Sequence, residues 1–226
     1  MDDKPCLYVI NPNASEAVTL GIQSAIAPLD GMGCRINCIT NSDGPSGIES
    51  QIQADMTIPQ TLALAAKDEG QADGFVIACF GDPGLHALRD QTAKPVLGIQ
   101  ESAVMTALTL GQRFGIIAIL PGSIPRHMRS IAAMGVQSRL AGDRALNLGV
   151  ADLEDTDTTL ERMTQIGRQL IEQDGADVLI MGCAGMAQFR GPLEEALGVP
   201  VVEPCQAAVA LAIPRILLKQ YHKVGG

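Results

Sequence analysis

Short β-branched runs alternate along this chain with longer stretches in which Ala, Leu and Ile recur at helical spacing. The runs predict strands at Cys6–Ile10, Arg35–Ile39, Gly74–Ala78, Val96–Ile99, Phe114–Ile119, Asp177–Met181 and Val199–Val202. The spacing between them predicts helices at Glu16–Ala27, Pro59–Glu69, Leu85–Gln91, Ser102–Thr109, Ile124–Met134, Thr158–Gln173, Leu193–Leu197 and Ala207–Tyr221. Strand followed by helix in this way is the pattern of βα units on a parallel sheet. The third and sixth strands are almost wholly apolar, as strands covered on both faces are. No low-complexity tract or Pro-rich linker divides the chain.

The pattern also repeats. ADGFVIACFG, residues 72–81, returns as ADVLIMGCAG, residues 176–185, so that Asp73, Cys79 and Gly81 recur 104 residues later as Asp177, Cys183 and Gly185. Downstream, Lys94-Pro95-Val96 is echoed by Val199-Pro200-Val201, and Ala103 and Ala208 each stand eight residues after the proline. The first strand opens into NPNAS, and the strand ending near Leu120 opens into PGSIP. Two such half-domains pack most simply about a pseudo-twofold axis, with equivalent loops meeting across one cleft. Ligands of open parallel sheets bind beyond the carboxyl ends of the strands, where Cys79 and Cys183 both fall.

Composition narrows the partners. With 226 residues, 46% of them hydrophobic and 18% charged, the chain is long and apolar enough to bury a core. Aromatics are only 3%, so Ala, Val, Ile, Leu and Met must build that core. A net charge of −9 argues against nucleic acid and against an anionic membrane surface, leaving a small-molecule partner. No secretory signal follows the acidic start, and Pro214 and Arg215 interrupt the apolar run from Ala207 to Ile213, so no span is expected. Six cysteines are too few for a disulfide scaffold and fit a reducing cytoplasm. No phosphate loop, GxGxxG or HExxH is present, and His86, His127 and His222 have no ligand spacing, so neither metal nor cofactor is expected.

A thiol at a strand end, before a glycine turn and a helix, sits in a field that favours the thiolate. With one cysteine from each half, a small substrate would have a thiol or thiolate on either side. One takes a proton from carbon while the other returns one to the opposite face. That is racemisation by two bases. The competing reading is that each cysteine is a small core hydrophobe. Cys6 reads as strand core, Cys34 and Cys38 share one strand face without further ligands, and Cys205 is placed to line the second half's cleft. Glu101 and Glu203 read as exposed carboxylates at helix starts.

The chain resembles the aspartate/glutamate/hydantoin racemases over nearly its whole length. The resemblance rests on NPNAS at Asn11–Ser15, CFGDPG at Cys79–Gly84, GIQESA at Gly98–Ala103 and GCAGM at Gly182–Met186, and is nearest the hydantoin and allantoin branch. It departs where the family's NPNTS has Ala14 here, and where Gly-x-Gly-Glu-Ala-Ala reads GIQESA. It implies an α/β fold of two pseudo-twofold-related lobes, each a parallel four-stranded sheet flanked by helices, with the active site in the interlobe cleft. The first lobe would comprise residues 1–98 plus 207–226, and the second 99–206. It implies Cys79 and Cys183 as the acid/base pair, with Asn11, Asn13, Ser15, Phe80, Gly81, Ala184 and Gly185 binding the substrate's polar edge. It also implies a cofactor-independent enzyme that assembles as a homo-oligomer. A hydantoin fits this chemistry, because its C5 proton lies beside a carbonyl and its neutral ring calls for paired donors and acceptors rather than an Arg clamp. Phe80 and Met186 are candidate apolar contacts for a C5 substituent, with core packing the competing reading for Met186. Two alternatives stay open: an amino-acid racemase or cis–trans isomerase with the same cysteine pair, and a small-molecule-binding or thiol redox-sensing module.

Overall fold

The computed structural model describes residues 4–222. Eight strands form two parallel sheets of four. The first holds β1 (Cys6–Asn11), β2 (Arg35–Thr40), β3 (Gly74–Ile77) and β4 (Val96–Gly98) in the order β2-β1-β3-β4. The second holds β5 (Phe114–Ala118), β6 (Leu140–Ala145), β7 (Val178–Met181) and β8 (Val201–Val202) in the order β6-β5-β7-β8. The second order repeats the first, as the internal echo requires, and makes β7 the counterpart of β3. Parallel pairing holds throughout: Ile10 pairs with Ile77 and Ile77 with Gly98 in the first sheet, Ile117 with Met181 in the second.

The helices between strands are α1 (Glu16–Ile26), α2 (Gln51–Asp68), α3 (Leu85–Gln91), α4 (Ile99–Leu110), α5 (Ile124–Ala133), α6 (Thr156–Glu172), α7 (Arg190–Leu197) and α8 (Pro204–Leu217). Helix α4 leads from the first sheet to the second, and α8 lies along it and against β3. One core joins the sheets: Leu7, Val9 and Val76 share a cluster with Ile116, Val178 and Ile180, sealed by Val104, Ala107, Ala208 and Ala212 of these two helices. Small alanines let the helices approach closely, which a core almost free of aromatics requires. None of the described helices is long and apolar enough to cross a membrane.

Three elements differ most from the sequence expectation. Strand β6 went unread because it is a half-buried edge strand containing Gly142, Asp143 and Arg144, residues of poor strand preference; neighbouring β5 and the Arg144–Asp174 ion pair hold it in place. Helix α2 begins at Gln51 rather than Pro59. Its start is a capping box in which Ser50 and Gln53 cover each other's backbone N–H groups, and Pro59 sits inside it. Helix α8 begins at Pro204, capped by the Glu203 carboxylate, runs through Pro214 and stops before Lys219, whose φ of 52° turns the chain away.

Candidate active site

Cys79 stands two residues beyond β3 and Cys183 two residues beyond β7. The turn after Cys79 is tight: the Asp82 N–H donates to the Cys79 carbonyl at 3.0 Å, and Gly81 takes φ 106°, a conformation other residues resist. The Asp82 carboxylate accepts from the N–H groups of Gln100 and Glu101 at 2.8 and 2.9 Å, which fastens the turn to the start of α4. A Cβ on Gly98 would lie 2.2 Å from that carboxyl carbon, so only glycine lets strand, turn and helix meet. Burial outweighs the two donors and pushes Asp82 up to about 7. After Cys183 the chain enters a 3₁₀ turn, Ala184–Phe189, and the Gly185 N–H donates to Cys183 Sγ at 3.4 Å.

Both thiols face one cavity of about 30 Å³, room for a water or two. Asn13 and Phe80 line it from the first half; Ser123, Arg126, His127, Ala184 and Gly185 line it from the second. Ile48 and Val150 close it from two loops, tied together where the Val150 N–H donates to Glu49 Oε1 at 2.8 Å. Outside this tie lies a cleft of about 490 Å³ that includes Ser15. On the other side, beyond Phe80 and Arg126, a cleft of about 360 Å³ includes Gly81.

The expected thiolate field is not what dominates. Burial pushes Cys79 up to about 12, with Cys183 and Asp82 adding to the rise and Arg126 opposing it. Burial likewise pushes Cys183 up to about 11, against the Gly185 N–H and with Glu49 adding to the rise. Desolvation of a closed cavity outweighs the dipoles of two short turns. In this closed form both groups are thiols.

The substrate-edge residues separate into two kinds. Asn13 reaches the cavity; its Oδ1 is taken by the Asn11 amide and the Ser15 N–H, leaving Nδ2 as its donor for a ligand. Asn11 is 1% exposed and spends its amide on Asn13, the Ser15 carbonyl and Thr19, so it shapes the NPNAS turn from behind. Ser15 caps α1 by accepting from the Val18 N–H. The sequence pattern leaves Ser123, Arg126 and His127 unmarked as site residues, although PGSIP matches NPNAS; Arg126 lies one helical turn further along. His127 meets the Phe80 ring edge-on at 4.8 Å and holds the buried Asp143 carboxylate at 2.8 Å, bracing the first thiol turn from the second half. Arg126 is buried and, among the described residues, forms no ion pair; its Nη1 has no hydrogen-bond partner. A guanidinium stands beside the cavity, although a neutral hydantoin ring calls for paired donors and acceptors rather than an Arg clamp.

The model of the Asp/Glu/hydantoin racemase family matches residues 7–212. The chain belongs to that family. It is 39% identical over 208 residues to the hydantoin racemase of Pseudomonas sp. strain NS671, covering 91% of this chain and 84% of that protein. It is 36% identical to the hydantoin racemase of Paenarthrobacter aurescens, over 91% of this chain and 89% of that one. Its fold superposes on the allantoin racemase from Klebsiella pneumoniae with a TM-score of 0.92 at 30% identity, covering 97% of this chain and 90% of that chain.

Several other side chains singled out from the sequence of this racemase-family chain lie outside the cavity. Cys205 lies in the core rather than along the cleft, and Met186 is wholly buried in the second half's core rather than placed to touch a substituent. Glu203 is a helix-start carboxylate but a buried one, pushed up to about 7 by its burial. Glu101 pairs with Arg89. His86 is exposed on α3. Among the described residues no cluster of His, Cys, Asp and Glu could hold a metal ion.

Proposed function

We propose that this protein is a cofactor-independent racemase that inverts C5 of 5-monosubstituted hydantoins, allantoin included, with Cys79 and Cys183 as its acid–base pair. The observation that carries this reading is that two cysteines from equivalent strand ends of the two halves share one buried cavity. Relatives that bear the names hydantoin racemase and allantoin racemase support the substrate class.

The chemistry follows from the two-sided placement. One sulfur, as thiolate, takes the C5 proton, and the electron pair moves into the adjacent C4 carbonyl. The other, as thiol, gives its proton to the opposite face as the pair returns. The burial that raises both pKa values makes a thiolate here a strong base, matched to a weakly acidic C–H bond. A cavity of about 30 Å³ is too small for the five-membered ring, so its lining must widen to admit the substrate.

The test is to incubate enantiopure 5-alkyl hydantoins and allantoin with enzyme dialysed against a chelator, following optical rotation and, in D₂O, the C5 proton. Decay of rotation together with loss of the C5 signal is expected, at a rate the chelator leaves unchanged. Absence of both for every compound overturns the proposal. Arg126 favours one second reading, a free amino acid whose carboxylate the guanidinium would take. The same assay on L-aspartate and L-glutamate separates the two.

A further inference from the structure

Ser123 and Arg126 stand three residues apart at the first turn of α5 and so share one face of the helix. They are 1% and 8% exposed, and both line the thiol cavity. Of the side-chain atoms left buried without a hydrogen-bond partner among the described residues, Ser123 Oγ and Arg126 Nη1 are the two that belong to residues lining this cavity. The titratable groups near Arg126 are Asp55 of α2, Arg129 of its own helix and the Cys79 thiol, and among the described residues no carboxylate forms an ion pair with it. A cation is rarely buried without a counter-ion, because each remaining N–H loses water and gains nothing. Nη1 of this one gains a partner only when an acceptor arrives in the cavity.

We infer that Arg126, with Ser123 beside it, receives the substrate's C4 oxygen and holds the negative charge that forms there when C5 loses its proton. The inference rests on the racemase reading above. As the thiolate takes the C5 proton, the C–H pair becomes the C4–C5 double bond of an enolate and the carbonyl pair moves to oxygen. The guanidinium N–H and the serine O–H donate hydrogen bonds to that oxygen, and neither gives up its proton. When the opposite thiol delivers its proton to C5, the carbonyl re-forms and the donors relax to a neutral acceptor. Donors fixed beside so small a cavity act on developing charge more strongly than on the ground-state carbonyl, so their effect belongs to kcat. The position has a structural logic too: the loop after β5 is the counterpart of NPNAS after β1, and it brings a cation where the first half brings amides.

The test compares Arg126→Gln, Arg126→Lys and Ser123→Ala with the wild type on one enantiopure hydantoin, measuring kcat, KM and melting temperature. Loss of one preorganised donor is expected to lower kcat of Arg126→Gln about 10²–10³-fold, with KM moving far less. Arg126→Lys, which keeps the charge and loses the fork, is expected to fall between Gln and the wild type. If Arg126→Gln does not fold, the Lys and Ser123→Ala variants carry the test by the same split. Retention of kcat within about three-fold, or a loss confined to KM, overturns the inference while the racemase reading stands. A wild-type protein inert towards hydantoins, allantoin and amino acids overturns both.

Discussion

The loops that follow β1 and β5 occupy the same place in two sheets of the same strand order, yet they are built on opposite terms. In residues 11–19 the polar groups satisfy one another: the Asn11 amide reaches Asn13, Ser15 and Thr19, its Oδ1 takes the Asn13 N–H, and Ser15 caps the helix. In residues 120–127 the backbone turn closes through Ser123 N–H to the Leu120 carbonyl, but Ser123 Oγ and Arg126 Nη1 are left bare. The strand order repeats while the loops' polar side chains differ. A saturated loop holds shape, and an unsaturated one beside a cavity is free to bind.

The thiols stand above both loops, and removing them gives the largest effect. Cys79→Ser and Cys183→Ser are each expected to lower racemisation about 10³-fold or more, read by polarimetry. Next is pH. With the free thiols up at about 12 and 11, the thiolate is scarce at neutral pH. kcat/KM is expected to climb by about tenfold per unit over the neutral and mildly alkaline range. Stability runs the other way. Both thiols are raised from 9.0, so the unfolded chain releases these protons first. Their contribution is whole below 9 and is lost as pH rises through 11 and 12, which denaturant midpoints at pH 8 and 10.5 would register.

The two loops themselves respond in opposite currencies. Asn11→Ala breaks a buried network and is expected to reduce stability by about 2–3 kcal/mol, measured by urea unfolding. Ser123→Ala removes a hydroxyl that has no partner among the described residues, so stability is expected to hold within about 0.5 kcal/mol while kcat falls about tenfold. Loss of stability at Ser123, or a kcat defect at Asn11 in protein of unchanged stability, would erase the contrast.

Much of this was legible in the amino-acid order. Apolar runs placed seven of the eight strands, and the spacing of Cys79 and Cys183 placed both thiols at equivalent strand ends, because burial on both sheet faces leaves a strong local mark. Strand β6 and the true start of α2 left weaker marks. An edge strand is made by its partner rather than by its own residues, and Pro59 has the look of a first helical position although Ser50 and Gln53 supply the cap upstream. The thiol pKa direction and the bare Arg126 could not be read, since both depend on how tightly two distant halves close on each other. Met186 and Cys205 show the same limit from the other side: their neighbours in the chain line the cavity or cap a helix, while they turn into the core.

The most direct measurement is enantiomer-resolved deuterium exchange by the two single-cysteine variants. Each enantiomer of one hydantoin is incubated in D₂O with Cys79→Ser or Cys183→Ser, and its C5 proton is followed by NMR. If each sulfur serves one face, each variant exchanges one enantiomer's proton and spares the other's, with the preference reversed between variants. If either variant exchanges both enantiomers alike, or racemises at the wild-type rate, the two thiols are not an acid–base pair.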